Sequence, residues 1–393
     1  MKQLLQLSLF SLFLIFSCKR VENNQTNFTE IEIDLENPKE LLFSQLFDTC
    51  FFVPLPSEIP LGEVQQMIIG DRIITVLDSR ISKTVSTFNF KGELIAQFAE
   101  NGDGPGKYLN PHGIVLSSDE NEVFVHCNMS RKVIEYTLDG KLLSEHILSS
   151  VGAIDDIEIS SDGFITSITD GSFVDGSKIA FYDEAFSKPI FPFGNYSRLS
   201  SEEKNVGKIN FLYPEFGKDS FYFQDILSPI FVHIEKNRID DIFRFSFSSR
   251  DLLLKHPERN ASEYLFISRN EGLAYLLGNH IDGGDFMLLD IMDSGNLGLV
   301  LWDKQSNEAF KVTKLVNDLS LLMNFNSIPS SYNHTPGYLS LIIPFSMFSE
   351  IRSKVDLTLN PYESIIQGIN MDDPESYILL TYRVKKDVEL SID

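Results

Sequence analysis

Apolar and polar residues alternate with a period of two along much of this chain, in short runs that predict half-buried strands. Val64–Ile69, Arg72–Leu77, Thr84–Phe90 and Leu94–Phe98 form one set of four runs, with turn residues at Asp71 and at Lys91-Gly92. His112–Leu116, Glu122–His126, Lys132–Leu138 and Leu142–Ile147 form a second, turning at Ser118-Asp119-Glu120-Asn121 and Asp139-Gly140. The sets align. Phe88-Asn-Phe-Lys-Gly-Glu-Leu94 matches Tyr136-Thr-Leu-Asp-Gly-Lys-Leu142, and from 88 to 136 the offset is 48 residues.

Later copies are more degenerate. Ala153–Phe193 holds a third around Phe164–Ile168 and Ile179–Asp183, and Tyr213–Phe247 a fourth. Residues 251–280 are less strand-like and read as a loop or short helix. Asp285–Ile291, Leu297–Trp302 and Glu308–Leu315 suggest a fifth. Tyr338–Pro344 opens a sixth, which Ser346–Ile369 interrupts with helical apolar spacing (Phe348, Ile351, Val355) and Ser376–Val384 completes. A four-strand unit recurring roughly every 40–50 residues is how a β-propeller blade reads, because a blade has two apolar faces and buries them only by stacking in a ring. The fold class expected is all-β, a six-bladed β-propeller with seven blades as the alternative, closed by its N- and C-terminal strands. Glu30–Leu35 alternates cleanly and precedes the first complete set, so it is expected to pair within the last blade beside Tyr377–Val384.

The N-terminus departs from the strand pattern. Met1-Lys2 begins a positive segment, and Leu4 through Phe16 is an apolar run with the length of a signal peptide, short of the ~20 residues of a membrane span. The run ends Ile15-Phe16-Ser17-Cys18, which resembles a bacterial lipobox, so Cys18 is the expected site of lipidation. Several acyl chains anchor firmly where one does not. The expected organisation is a lipoprotein signal peptide over 1–17, a flexible polar tether over 18–29 and a propeller domain over 30–393. The protein is then held in the cell envelope, anchored by lipid to a membrane, the outer membrane in a Gram-negative cell.

The chain, with 43% hydrophobic residues and 32 Phe among 393 positions, can build a large core. Formal net charge is −23, from 56 acidic and 33 basic residues. Such a surface repels phosphate polyanions, so nucleic acid is excluded as an expected partner. With Cys18 assigned to lipid, Cys50 and Cys127 remain. They are either one disulfide, permitted in an oxidising envelope, or two buried thiols. No CxxC spacing suggests zinc or redox work.

Phe98-Ala-Glu-Asn-Gly-Asp-Gly-Pro-Gly-Lys-Tyr108, the early Phe51-Phe-Val-Pro-Leu-Pro56 and the late Met371-Asp-Asp-Pro-Glu-Ser-Tyr-Ile-Leu-Leu-Thr-Tyr-Arg-Val-Lys385 resemble an uncharacterised family of six-bladed, NHL-like β-propeller lipoproteins of Gram-negative bacteria. Members of that family carry Glu where Lys107 stands here. The resemblance implies fold and location, and no chemistry.

Candidate chemistry is sparse. Gly102-Asp-Gly-Pro-Gly106 lacks the Lys-Ser/Thr and helix of a phosphate loop and reads as a turn between blades. Pro111-His112-Gly113 is similar to NHL-type propellers, some of which hold metal through channel histidines, but metal binding needs three or more facing ligands. The histidines do not repeat with the blades, so neither a metal nor another cofactor is expected. The channel or ligand candidates are His112, His126, His233, Asp155 and Asp156. Asp155-Asp156, Asp240-Asp241 and Asp372-Asp373 are pairs that could act as acid and base or bind calcium, although such pairs more often form solvated turns. Two functions stay open. One is a binding or scaffold module with an envelope protein, a carbohydrate or a peptide as partner. The other is a lyase or hydrolase acting on a carbohydrate or peptide at the central channel. Fold alone does not choose between them.

Overall fold

A computed structural model describes residues 28–56, 61–128, 130–148, 154–167, 178–187, 189–190, 212–225, 227–328, 335–358, 360–371, 376–386 and 388. The signal segment, Cys18, most of the tether and the Asp372-Asp373 pair lie outside them. The protein is mostly β. Strand β1 (Thr29–Leu42) runs into a short helix α1 (Phe43–Leu46) and then β2 (Phe47–Leu55). A first antiparallel meander follows, β3 (Gln66–Ile69), β4 (Ile73–Asp78), β5 (Thr84–Asn89) and β6 (Leu94–Phe98). The second is β7 (Gly113–Leu116), β8 (Glu122–Cys127), β9 (Lys132–Thr137) and β10 (Leu142–Ile147). Both match the strands read from the alternation. The third has β11 (Asp156–Ser160), β12 (Gly163–Ser167) and β13 (Ile179–Tyr182), with Ile190 bridging Phe181.

The fourth meander is β14 (Leu212–Pro214), β15 (Ser220–Phe223), β16 (Ile230–Glu235) and β17 (Arg238–Ser246). After α2 (Leu252–Lys255) and α3 (Ala261–Glu271) comes the fifth, β18 (Ala274–Asp282), β19 (Phe286–Asp293), β20 (Asn296–Asp303) and β21 (Ala309–Val316). The helices answer the expectation for 251–280 as far as Glu271, but Ala274–Asp282 is a strand. Most of β18 is buried and it is bulged between Leu276 and His280, so it shows no clean alternation. The chain then forms β22 (Tyr338–Pro344), α4 (Phe345–Lys354), α5 (Glu363–Gly368) and β23 (Tyr377–Val384). Helix α4 falls where the helical spacing began.

Closure of the fold corrects one expectation. Glu30–Leu35 does not pair beside Tyr377–Val384. The strand that does is β2, which together with β23 and β22 makes a closing sheet ordered β2-β23-β22. Strand β1 instead lies parallel to β17 through Thr29–Glu32 and parallel to β21 from Ile33 onward, joining the fourth and fifth meanders into one nine-stranded sheet. Alternation says which face of a strand is buried, not which edge it will bind. Ile31, Ile33 and Leu35 are buried against both meanders. Pro54 sits in β2, at the sheet edge, where a missing N–H is tolerated. The β5–β6 turn comes down on that strand: Gly92 has φ +82°, and a Cβ there would lie 1.7 Å from the Pro54 carbonyl oxygen.

Meander packs on meander. Leu77, Val85 and Phe98 meet Val125, Ile134 and Tyr136 between the first and second. Val115 and Phe124 meet Phe164 and Tyr182 between the second and third. Ile165 and Phe181 meet Phe221 and Val232 between the third and fourth. Phe231 and Phe245 meet Met287 and Trp302 between the fourth and fifth. Phe286 and Leu301 meet Leu341 and Tyr382 at the closing sheet, whose Val53 and Leu379 return to Met67 and Val76 of the first meander. Each fully buried Leu, Val or Phe contributes about 1.5–3 kcal/mol. Cys50 and Cys127 are free, buried thiols. No helix among the described residues is long and apolar enough to cross a membrane.

Candidate functional site

The first strands of successive meanders touch one another, β3 with β7, β7 with β11 and β11 with β14. Their polar side chains therefore converge, and most of them tie one meander to the next. The Gln66 side-chain amide donates to the Ile114 carbonyl (2.9 Å) and accepts from the Ile114 N–H (2.6 Å), bridging β3 and β7. Asp156 accepts from the Leu212 N–H at 2.9 Å, bridging β11 and β14. The Tyr213 hydroxyl donates to the Gly278 carbonyl at 2.9 Å, bridging β14 and β18, and its ring packs on His280.

Between the Gln66 and Asp156 ties stand His112, His126 and Asp155. The His112 N–H donates to the His126 carbonyl (2.7 Å), and the two rings meet edge to face at 5.8 Å. His126 is buried, and its Nδ1 has no hydrogen-bond partner among the described residues. Burial, and then the neighbouring His112, pull its pKa down to about 3, so it is neutral at ordinary pH. Burial also lowers His112, against the pull of Asp155. Further round, burial and then Asp156 raise the Glu158 carboxyl well above its usual range. Burial raises Asp290 to about 7, against hydrogen bonds from the Ile328 N–H and the Asn279 side chain. The cavity lined by Tyr213, His280, Asp282, Thr335 and Tyr338 holds about 20 Å3, room for about one water.

Of the five candidates read from the sequence, His112, His126 and Asp155 come together. Asp156 lies beside them but its carboxylate is engaged by backbone N–H groups. His233 is elsewhere, on the third strand of the fourth meander. Its Nε2 contacts Glu215 (3.1 Å) and its Nδ1 contacts Asp240 (3.3 Å). Glu215 also accepts from Lys304, Lys218 and Ser220, and Lys304 reaches Asp282. Burial works to raise Glu215, but the hydrogen bond from His233 and the Lys304 charge hold it well below the usual carboxylate range. This buried network joins the fourth meander to the fifth. Asp240 is half-exposed at the same place. Among the described residues, no group of three His, Cys, Asp or Glu side chains is arranged to hold a metal. Sequence reasoning missed Gln66, Tyr213, His280 and Asp290. No local motif marks them, because each meets at least one residue far away in sequence.

Stacked meanders whose first strands converge define a mostly-β protein of propeller-like build. The chain belongs to the family described as domain of unknown function DUF4934, which matches residues 28–373. No curated protein matches it. Among solved structures, a protein of Bacteroides fragilis NCTC 9343 described as exported is similar at 16% identity, over 92% of this chain and 100% of that one, with a TM-score of 0.62. A DUF4221 family member from Bacteroides vulgatus ATCC 8482 is similar at 8% identity, over 86% and 98%, with a TM-score of 0.50. At these identities the likeness concerns fold alone.

Proposed function

We propose that this protein is an envelope lipoprotein, anchored through Cys18, whose six-bladed β-propeller serves as a binding or scaffold module. Six blades are the five meanders plus the closing sheet, and the return of Val53 and Leu379 to Met67 and Val76 supports a closed ring. The observation that carries the scaffold reading is the use of the converging side chains. Gln66, Asp156 and Tyr213 are held in hydrogen bonds between meanders, and the cavity beside Tyr213 has no room for a substrate. The apolar run ending at Ser17-Cys18 and the likeness to a protein described as exported support the location.

One observation favours the alternative, a lyase or hydrolase of carbohydrate or peptide. His112 is only partly buried, and burial lowers its pKa against the pull of Asp155, so a neutral imidazole stands there as a candidate proton acceptor, with His126 beside it. Both readings are tested on the full-length protein. Metabolic labelling with a fatty acid should mark it, and Cys18→Ala should abolish the label and release the protein from membranes. Retained label in that variant overturns the anchor. Polysaccharides and peptides incubated with wild type should come back intact by mass spectrometry. Cleavage that His112→Ala abolishes overturns the scaffold reading in favour of the enzyme.

A further inference from the structure

The face that the second meander turns to the third differs from the same face of the first. The strand registers give the equivalences. Val85 pairs with both Leu77 and Phe98, and Thr87 pairs with Ala96. In the second meander, Val133 pairs with His126 and His146, and Glu135 with Ser144. So where the first meander has Leu77, Thr87, Ala96 and Phe98, the second has His126, Glu135, Ser144 and His146. The first face is sealed by the second meander. Along the edge of that face where the β7–β8 and β11–β12 turns lie, the sheets part, leaving a cleft of about 600 Å3.

Its lining is polar above and aromatic below. Glu122, Glu135, Ser144 and His146 face Ser160, Ser161 and Glu184 across it, over Phe124 and Phe164. Ser144 Oγ donates to Glu135 (2.5 Å) and meets His146 Nε2 at 2.8 Å. Phe186 stacks between His146 and Phe164, with centroids 5.1 and 4.3 Å away. Two hydroxyls here lack hydrogen-bond partners among the described residues. Ser160 Oγ is on the cleft wall, and the Tyr182 hydroxyl is buried in the ring cluster at its base. Among the described residues no lysine or arginine lines the space.

We infer that this cleft between the second and third meanders binds a small organic cation, its ammonium or guanidinium group held between Glu122 and Glu135 and its carbon skeleton lying on Phe124 and Phe164. The volume lies within the range of small-molecule sites, roughly 300–1,000 Å3. A bare metal ion does not suit it, since no three-ligand group stands there. An anionic ligand would meet three glutamates and, among the described residues, no lysine or arginine. A cation relieves a repulsion already present: burial, then the neighbouring Glu135 on the adjacent strand and Asp119, push the Glu122 carboxyl up. Binding should therefore expel a proton. The other titratable groups facing Glu122 and Glu135 are His146 and Glu184.

This inference is independent of the lipid anchor and of the grouping of His112 with Asp155. It is tested by isothermal titration of the full-length protein in detergent at near-physiological salt, with spermidine and agmatine as probes and 1,5-pentanediol and glutarate as controls. The expected result is saturable one-to-one binding of at least one cationic probe and none of either control. Affinity should rise from pH 5 to pH 7, with heats that depend on the buffer's ionisation enthalpy. Glu135→Gln and Glu122→Gln should each weaken binding at least tenfold while the melting temperature stays close to wild type. Glu350→Gln, remote from the cleft, should bind like wild type. Absence of saturable binding by both cations overturns the proposal. So does binding that survives both cleft variants, which would mark a diffuse response to the acidic surface, or equal binding of the diol.

Discussion

Two junctions built from the same repeat behave differently. Between the first and second meanders, Phe98 is buried against Tyr136 with ring centroids 5.0 Å apart. Beneath them Tyr108 donates its hydroxyl to the Phe98 carbonyl at 3.0 Å. Between the second and third, the position of Phe98 is held by His146, the position of Ala96 by Ser144 and the position of Leu77 by His126. The backbone pairing is the same, so the fold does not require an apolar residue at every one of these places. The second and third meanders still pack through Val115, Phe124 and Val133 against Ile157, Phe164 and Tyr182, so the junction holds with part of its face open. The apolar junction stabilises; the polar one is free to recognise something.

The largest expected effect comes from breaking the sealed side. Phe98→Ala should lower unfolding free energy by about 3–5 kcal/mol, read from the urea midpoint at constant slope. A loss below about 1 kcal/mol would mean that this junction is not a core at all. Gln66→Ala, which strips the inner tie of the same junction and leaves the buried Ile114 N–H unpaired, should cost about 1–3 kcal/mol by the same measurement. If Gln66→Ala is silent, a water replaces the amide and the tie is dispensable.

The open side should respond to pH. His126 stays neutral in the folded protein down to about pH 3, whereas an unfolded histidine takes up a proton near 6.5. The unfolded state thus binds more protons between those values, and stability falls as pH drops through the window. The loss at pH 5 should be about 2 kcal/mol relative to pH 7 from this group. His126→Leu, which installs the residue of the first meander, should flatten that part of the stability profile measured by urea titration from pH 7 to pH 4. An unchanged slope would show that His126 is not the group responsible. Asp290 pulls the opposite way. Its carboxyl is raised to about 7, so its share of stability is greatest in acid and declines as pH rises from about 4 to 7. The His126→Leu comparison isolates the histidine because Asp290 is common to both proteins. Smallest of all, His146→Ala on the open side should change stability by less than about 1 kcal/mol, since it lines a cleft and fills no core. A cost matching that of Phe98→Ala would erase the distinction between the junctions.

The first two meanders were legible because strand alternation and turn chemistry are local properties. Lys91-Gly92 and Asp139-Gly140 punctuate the chain where Gly92 and Gly140 adopt positive φ, and the 48-residue offset survives in the pairing. The interruption at 346–369 was legible for the same reason, through helical spacing. Strand β18 was not, since a strand buried along most of its length and broken by a bulge carries neither period. The grouping of His112 and His126 was half visible, as both fell in or beside predicted strands. Asp155 joined them only when the third meander was laid against the second.

What the sequence by itself determined is the set of strands, their turns and the faces they bury, because a two-residue period and a glycine turn need no knowledge of the rest of the chain. The tertiary structure decided partners. It sent β1 to the outer strands of two meanders and gave the closing position to β2, a choice between two strands that both offer an apolar face. It also decided that Glu122 and Glu135, ordinary polar positions in an alternating pattern, look into a cleft. A cleft exists only where two sheets part, and the separation of two sheets depends on how residues far apart in sequence fill the space between them.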